Sequence, residues 1–240
     1  MDKLEKFQVL FLSIIIACAI VLATKVITGA ITKDVITVTG SYSQTVTSDT
    51  GLCEFEIVTR QETKALAYQV INQQKPQVLE FLKEKGFTDK EIEQKTPSGY
   101  NTYRMLPNGN TSNDIAYYNI SLPIYVKSKD VNKIKEISEE LPSLISKGID
   151  INVYNPSYFY SQLSDVKVQM LEEATKDAKQ RAAAMLKATH NHVGKIQSVR
   201  MGVFQITPVD SNDVSDMGIS DTSSIEKKIT SVANVTFSVK

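Results

Sequence analysis

The segment from Ser164 to Ile196, SDVKVQMLEEATKDAKQRAAAMLKATHNHVGKI, constrains the fold of this chain more than any other. Its small and apolar residues recur at steps of three and four, which places them along one face of a helix; they are Leu171, Ala174, Ala178, Ala182 and Met185. Ser164 or Asp165 is expected to cap the helix start. Alanine on a buried face lets a helix lie close to a sheet, so the segment predicts a long packing helix that leads through a glycine into a strand.

The polar face of the same helix carries two pairs in which an acidic residue precedes a basic one by four positions: Glu172 with Lys176, and Asp177 with Arg181. This order gives favourable ion pairs on a helix surface. The groups are suited to packing and solubility, and they form no catalytic set.

The N-terminal segment predicts membrane insertion. Residues 7–24 are 18 consecutive residues without a charge, preceded by Lys3 and Lys6 and followed by Lys25. A helix that crosses the hydrocarbon core needs about 17 to 20 such residues. We therefore expect residues 1–33 to be a single-pass transmembrane helix and spacer, with the N-terminus in the cytoplasm. The rest of the chain would then lie outside the cytoplasm, in the periplasm or at the cell surface.

Two other interpretations of the N-terminus stay open. A signal peptide cleaved near Thr28-Gly29-Ala30 would release the chain into the periplasm. A lipoprotein signal ending at Cys18 is the third, although the apolar run continues past that residue. All three place the remainder of the chain outside the cytoplasm.

The charge balance excludes one class of partner. Lys+Arg and Asp+Glu both number 27, so the formal net charge is zero. Nucleic-acid binding needs a basic surface that neutralises phosphates. We therefore expect no nucleic-acid partner.

Residues 34–240 predict one α+β domain in which an antiparallel or mixed sheet packs against long helices. Strands are expected at 34–40, 52–59, 92–96, 100–105, 117–126, 149–153, 195–206 and 227–240, and further helices at 62–85 and 130–146. Proline cannot donate to a strand ladder, so Pro123 places its strand at an edge or a bulge. Pro76 is expected to kink or break its helix, and Pro142 to interrupt the next one. Cys53 alternates with polar neighbours and is expected to be a buried thiol.

With this order of elements, the chain resembles the SIMPL-domain family, a domain family of unknown function that includes periplasmic and outer-membrane-associated immunogenic proteins of Gram-negative bacteria. The matching motifs are Glu173-Ala174, Asp177-Ala178, Arg181-Ala182 and Met185-Leu186, then Gly194-Lys195-Ile196, together with Ile36 to Gly40, Gly86-Phe87 and Val235-Thr236-Phe237. The resemblance implies an extracytoplasmic α+β domain that often self-associates and is linked to envelope integrity and stress tolerance. It supplies no catalytic residues.

Candidate chemical sites are few. The chain has no nucleophile elbow, phosphate-cradling glycine loop or zinc signature, so we expect no enzymatic activity and no cofactor. His190 and His192 lie at a predicted helix end and are expected to meet free carbonyls rather than a metal. A polar loop at 208–224 holds Asp210, Asp213, Asp216 and Asp221, but their spacing is not that of a calcium loop. We therefore expect no metal site.

An aromatic patch comes just before the long helix and consists of Tyr154, Tyr158, Phe159 and Tyr160. Core packing explains such residues in many proteins, but tyrosine and phenylalanine are also enriched at interfaces. Two interpretations of the four residues stay open: they pack in the core, or they form a subunit or ligand interface, which is the functional hypothesis that this patch offers. The resulting hypothesis is a membrane-tethered domain that acts at the cell envelope as a homo-oligomer or by binding protein partners. The alternative is a binding protein for a small ligand or envelope component, with its pocket between sheet and helices.

Overall fold

The structure, a computed structural model, describes residues 3–31 and 34–240. Its helices are α1 (Lys3–Ile31), α2 (Lys64–Glu84), α3 (Val131–Glu140) and α4 (Leu163–Lys187), with a 3-10 helix at Leu141–Lys147. Its strands are β1 (Val35–Thr47), β2 (Thr50–Gln61), β3 (Ile92–Gln94), β4 (Ser98–Met105), β5 (Thr111–Ser128), β6 (Ile151–Val153), β7 (Ser157–Phe159), β8 (Val193–Met201), β9 (Gln205–Pro208), β10 (Ile219–Ser220) and β11 (Glu226–Val239). The predicted α+β class is confirmed. Strand β11 pairs antiparallel with β8 and β9, β2 with β5, β6 and β7, and β5 with β3 and β4, whereas β9 and β10 are parallel.

Helix α1 covers the apolar N-terminal run. Its described side chains, at residues 8–9 and 11–25, are all exposed. Among the described residues, no helix is both long enough and apolar enough to cross a membrane, so the predicted transmembrane helix is not supported by the structure. Residues 1–2 and 32–33 of the predicted anchor and spacer lie outside the described residues.

The chain forms two compact units. The first comprises Met1–Tyr42, Val168–Val203 and Ser231–Lys240, and the second comprises Ser43–Lys167 and Phe204–Thr230. Strands β1 and β11 and helix α4 contribute residues to both units. The boundary that the sequence predicts at residue 33 stays a prediction.

In the first unit, α4 packs on β1 and β11 through small side chains. The core consists of Val38, Ala174, Ala178, Ala182, Ala233, Val235 and Phe237, all buried. Strand β11 lies between β1 and β8. The two predicted ion pairs on α4 are confirmed: Lys176 Nζ lies 2.8 Å from Glu172, and Arg181 Nε lies 2.8 Å from Asp177.

Details of α4 differ from the sequence prediction. The helix begins at Leu163, so Ser164 and Asp165 lie within it rather than capping it. Its buried stripe repeats every four residues, which makes Leu186 and not Met185 its last member; Met185 is 57% exposed. The strand predicted at 195–206 is two strands, β8 and β9, which pair with different parts of β11.

The second unit contains a six-stranded sheet built on the pairing of β2 with β5, which extends from Gly51–Ser128 to Gln61–Tyr118. Strands β3 and β4 continue the sheet beside β5, and β6 and β7 continue it beside β2. Alternate residues of β2 and β5 face helices α2 and α3; they are Cys53, Phe55, Ile57, Ile120, Leu122, Ile124 and Val126. The predicted inward position of Cys53 is confirmed, since its exposure is 0%.

The prolines have different effects in the two helices of this unit. Helix α2 begins after Thr63, whose hydroxyl accepts the backbone N–H of Leu66 at 3.2 Å, and continues through Pro76 without a break. The predicted interruption near Pro142 is confirmed, because α3 ends at Glu140 and a 3-10 helix follows.

Pro123 lies inside the sheet, not on an edge strand. It pairs with Glu56 of β2, and its carbonyl accepts the backbone N–H of Lys95 at 3.0 Å. Its ring nitrogen therefore faces the gap between β3 and β4, where the register with β5 shifts by one residue. The predicted edge is wrong, and the alternative of an irregularity in the ladder is correct: the missing donor falls where the neighbouring strand is interrupted.

Candidate interaction surface

The sheet of the second unit has an open face, which is the face opposite α2 and α3. Two glutamates of β2 lie on it and accept hydrogen bonds from neighbouring strands. The hydroxyl of Tyr125 donates to Glu54 at 2.9 Å. The hydroxyl of Tyr154 and the amide of Asn152 both donate to Oε1 of Glu56, each at 3.0 Å. These bonds join β2 to β5 and β6 and hold the tyrosine rings on the open face.

The acidic acceptors change the titration of these tyrosines. The hydrogen bond to Glu54 raises the pKa of Tyr125, because an ionised phenol cannot donate to a carboxylate. The bond to Glu56 raises the pKa of Tyr154 for the same reason. Both phenols therefore stay protonated as hydrogen-bond donors at neutral pH.

On the open face, Arg60 and Lys95 lie over tyrosine rings. The guanidinium of Arg60 lies 3.9 Å from the centre of the Tyr117 ring. The ammonium of Lys95 lies 5.4 Å from the Tyr125 ring and also pairs with Glu93. A surface of this kind can contact aromatic, cationic and polar groups of a partner.

A cavity of about 460 Å³ lies on the open face. Its lining includes the polar residues Glu56, Arg60, Asn119, Ser121, Asp150 and Asn152 and the exposed Tyr100. Cavities of a few hundred cubic ångströms suit small ligands. The cavity is not lined by residues 154–160 and does not lie between the sheet and the helices, where the sequence predicted a pocket.

A β-hairpin extends beyond the β2–β5 pairing. The pairing of β2 with β5 ends at Tyr118. Residues 102–117 are therefore paired only within the ribbon of β4 and β5, and we call them the hairpin arm. The turn at its tip contains Asn108 and Gly109, and Gly109 has a φ of 80°. Tyr103 and Leu106 are each 44% exposed and Met105 is 71% exposed. The arm thus presents apolar and aromatic side chains on a two-stranded ribbon, which alone is marginally stable in water.

The predicted aromatic patch is divided by the structure. Tyr154 is exposed on the open face, whereas Tyr158 belongs to the core at 4% exposure. Phe159 is exposed and Tyr160 half-buried. The four residues are therefore no single surface in the structure, and whether any of them contacts a partner stays a prediction.

Sequence reasoning missed Arg60 and the two open-face glutamates. A signal was present, because Glu54 and Glu56 alternate with the apolar Cys53, Phe55 and Ile57, and Arg60 follows on the face of the two glutamates. That pattern indicates a polar sheet face. It does not indicate which tyrosines of other strands would meet it.

The two histidines and Asp221 take part in turns, backbone hydrogen bonds and an ion pair. His190 has a φ of 60° in the turn after α4, and His192 exchanges two backbone hydrogen bonds with Lys240. Within the described part of the chain, no three His, Cys, Asp or Glu side chains are placed to hold a metal ion. Of the loop aspartates, Asp221 pairs with Lys227 at 3.1 Å; their side chains are 9% and 3% exposed.

Asp221 also organises the end of its loop. Its carboxylate accepts the backbone N–H groups of Ser223 and Ser224 at 2.9 and 3.2 Å and both serine hydroxyls. Burial alone would raise the pKa of Asp221, but these hydrogen bonds and the ammonium of Lys227 lower it. The carboxylate is a fixed structural anion rather than a free ligand.

The comparisons agree with the resemblance noted from the sequence. The model of the SIMPL family, described as proteins of unknown function (DUF541), matches residues 36–239. No curated protein matches the sequence. Because the match extends from the first strand to the end of the last one, the chain belongs to the SIMPL family.

Proposed function

We propose that this chain is an extracytoplasmic domain that self-assembles at the cell envelope and contributes to envelope integrity or stress tolerance. The observation that carries the proposal is the hairpin arm. Its exposed Tyr103, Met105 and Leu106 are of the residue types that protein interfaces bury, and its ribbon gains stability when another surface covers it.

The free edge of β4 also favours self-assembly. Among the described strands, β4 pairs with β5 alone, and Arg104 is its one charged residue. Proteins usually protect such an edge with charges, prolines or a covering segment. A second copy of the chain could cover it by adding a strand.

Tethering to the membrane through the N-terminal segment is part of the proposal. Its support is the apolar composition of residues 7–24 and the surface of α1, where large apolar side chains such as Phe11, Ile15 and Leu22 are 50% or more exposed. A helix that is apolar on all sides needs an apolar environment around it. Protease accessibility of intact cells, spheroplasts and lysates tests the location: the domain should be cleaved without lysis of the cytoplasmic membrane, and protection until lysis would contradict it.

Ligand binding is the second candidate function, and the open-face cavity favours it.

The direct test of self-assembly is the mass of the full-length chain in detergent, over a range of concentrations. A species larger than the monomer is expected, and a strict monomer at every concentration would contradict the proposal.

A further inference from the structure

The open-face cavity has a charge arrangement with two different ends. Register places Glu56 opposite Asn152 at one end. Two steps along the same face, Arg60, Asn119 and Tyr100 form a row across β2, β5 and β4 at the other end. The cavity is therefore a trough along β2 with an acidic end and a basic end.

The charges of the trough are not neutralised by the protein. Oε1 of Glu56 accepts both of the hydrogen bonds described above, which leaves Oε2 without a donor among the described residues. Within the same part of the chain, no cation pairs with Glu56 or Asp150, and no carboxylate pairs with Arg60. Arg60 is positioned by the Tyr117 ring and keeps its donors for another group.

We propose that this trough binds a short peptide with free termini, its ammonium group at Glu56 and its carboxylate at Arg60. The carbonyl of Asp150 accepts the backbone N–H of Val58, which places Asp150 between the two ends, beside the peptide. The inference rests on ligand binding as the second candidate function and names the ligand class. A guanidinium recognises a carboxylate through two parallel hydrogen bonds. The side-chain amide of Asn119 donates to the Tyr100 carbonyl and the Thr102 hydroxyl, and that of Asn152 donates to Glu56. Their side-chain oxygens, one at each end of the trough, are therefore suited to accept backbone N–H groups of a peptide.

The dimensions of the trough select the length of the ligand. Glu56 and Arg60 are four residues apart on β2, which separates their Cα atoms by about 13 Å. An extended tripeptide spans about 10 Å. Since Glu56 and Arg60 both line the trough, a tripeptide matches the distance between its two ends. The ammonium and carboxylate of a single amino acid lie too close together to reach both.

Calorimetric titration of the full-length chain in detergent with tri-alanine tests the inference. Tri-alanine with free termini is expected to bind, and acetylation of its N-terminus or amidation of its C-terminus should weaken binding by about tenfold or more each. Arg60→Gln and Glu56→Gln should have effects of the same size. Glu56→Gln keeps a side-chain oxygen that accepts hydrogen bonds from Tyr154 and Asn152. Arg104→Gln on the hairpin arm is the matched control and should leave binding unchanged.

The possible outcomes distinguish recognition of the charged peptide termini from ligand binding by the cavity in general. If tri-alanine blocked at both ends binds as tightly as the free peptide, recognition of the charged termini is overturned while ligand binding stands. If the Arg60 and Glu56 variants bind free tri-alanine like the unchanged chain, the site is not this trough. If neither peptide binds, both the peptide inference and ligand binding by this cavity fail.

Discussion

A Cβ atom on Gly40 of β1 would lie 2.8 Å from the Cα of Ala178 on α4, and closer still to the carbonyl oxygen of Ala174. Real Cβ atoms are essentially never found at such distances. The glycine on the strand and the alanines on the helix therefore form one close contact of backbones. On its border, the carboxylate of Asp177 accepts the backbone N–H of Ser41 at 2.8 Å.

This contact predicts a large effect of one methyl group. Gly40→Ala should lower the free energy of unfolding by about 3 kcal/mol, because the groups it meets are backbone atoms that cannot rotate away. Gly202→Ala in the same unit is the matched control. A Cβ atom added there would lie 3.4 Å from its nearest neighbours, which is an ordinary contact. Urea unfolding measures both, and equal effects of the two substitutions would show that the close contact does not exist.

The buried pair of Asp221 and Lys227 predicts a second effect on stability. Asp221→Asn leaves the ammonium of Lys227 buried without its anion, which should cost about 3 kcal/mol near neutral pH. Asp216→Asn in the same loop changes an exposed carboxylate and should shift the free energy of unfolding by less than about 0.5 kcal/mol.

The same pair predicts a pH dependence. The folded-state pKa of Asp221 is lower than its ordinary value of 3.8, so on acidification the unfolded chain takes up the proton first. The stabilisation is complete above about pH 5 and is lost progressively as the pH falls below about 4. The difference in unfolding free energy between the unchanged chain and Asp221→Asn should therefore shrink on acidification. A constant difference from about pH 7 to about pH 3 would show that the carboxylate has no depressed pKa.

Cys53 should be unreactive in the folded protein. Burial raises the pKa of its thiol to about 12, with a smaller contribution from the charge of Glu54. Since the thiolate is the nucleophile, iodoacetamide should leave Cys53 unmodified until the chain is unfolded in urea. A Cys18→Ser background makes mass spectrometry report this thiol alone. Alkylation of the folded protein at the rate of a free thiol would contradict the buried position.

Local periodicity explains what the sequence could predict. The alanine stripe of α4, its two ion pairs and the inward position of Cys53 depend on residues within one element, where the spacing of side chains is set by helix or strand geometry. The prediction of a single strand at 195–206 was wrong, because the chain forms two strands there, β8 and β9. Residues 202–204 interrupt it, and apolar character continues through the break.

The surface could not be predicted because it depends on register between distant strands. The hydrogen bond from Asn152 to Glu56 joins residues 96 positions apart. In the aromatic patch, residues that are neighbours in sequence lie on different surfaces. Side chains alternate along β7, so Tyr158 lies in the core and Phe159 is exposed.

Self-assembly through the hairpin arm is tested most directly by sedimentation velocity of the full-length chain in density-matched detergent. The unchanged chain should sediment as an oligomer whose proportion rises with concentration. A double variant, Tyr103→Ser with Met105→Ser, should shift it to the monomer. Met217→Ser, which removes a 93% exposed methionine outside the arm, should sediment like the unchanged chain. A monomeric unchanged chain at every concentration, or a double variant that assembles equally well, would contradict the account.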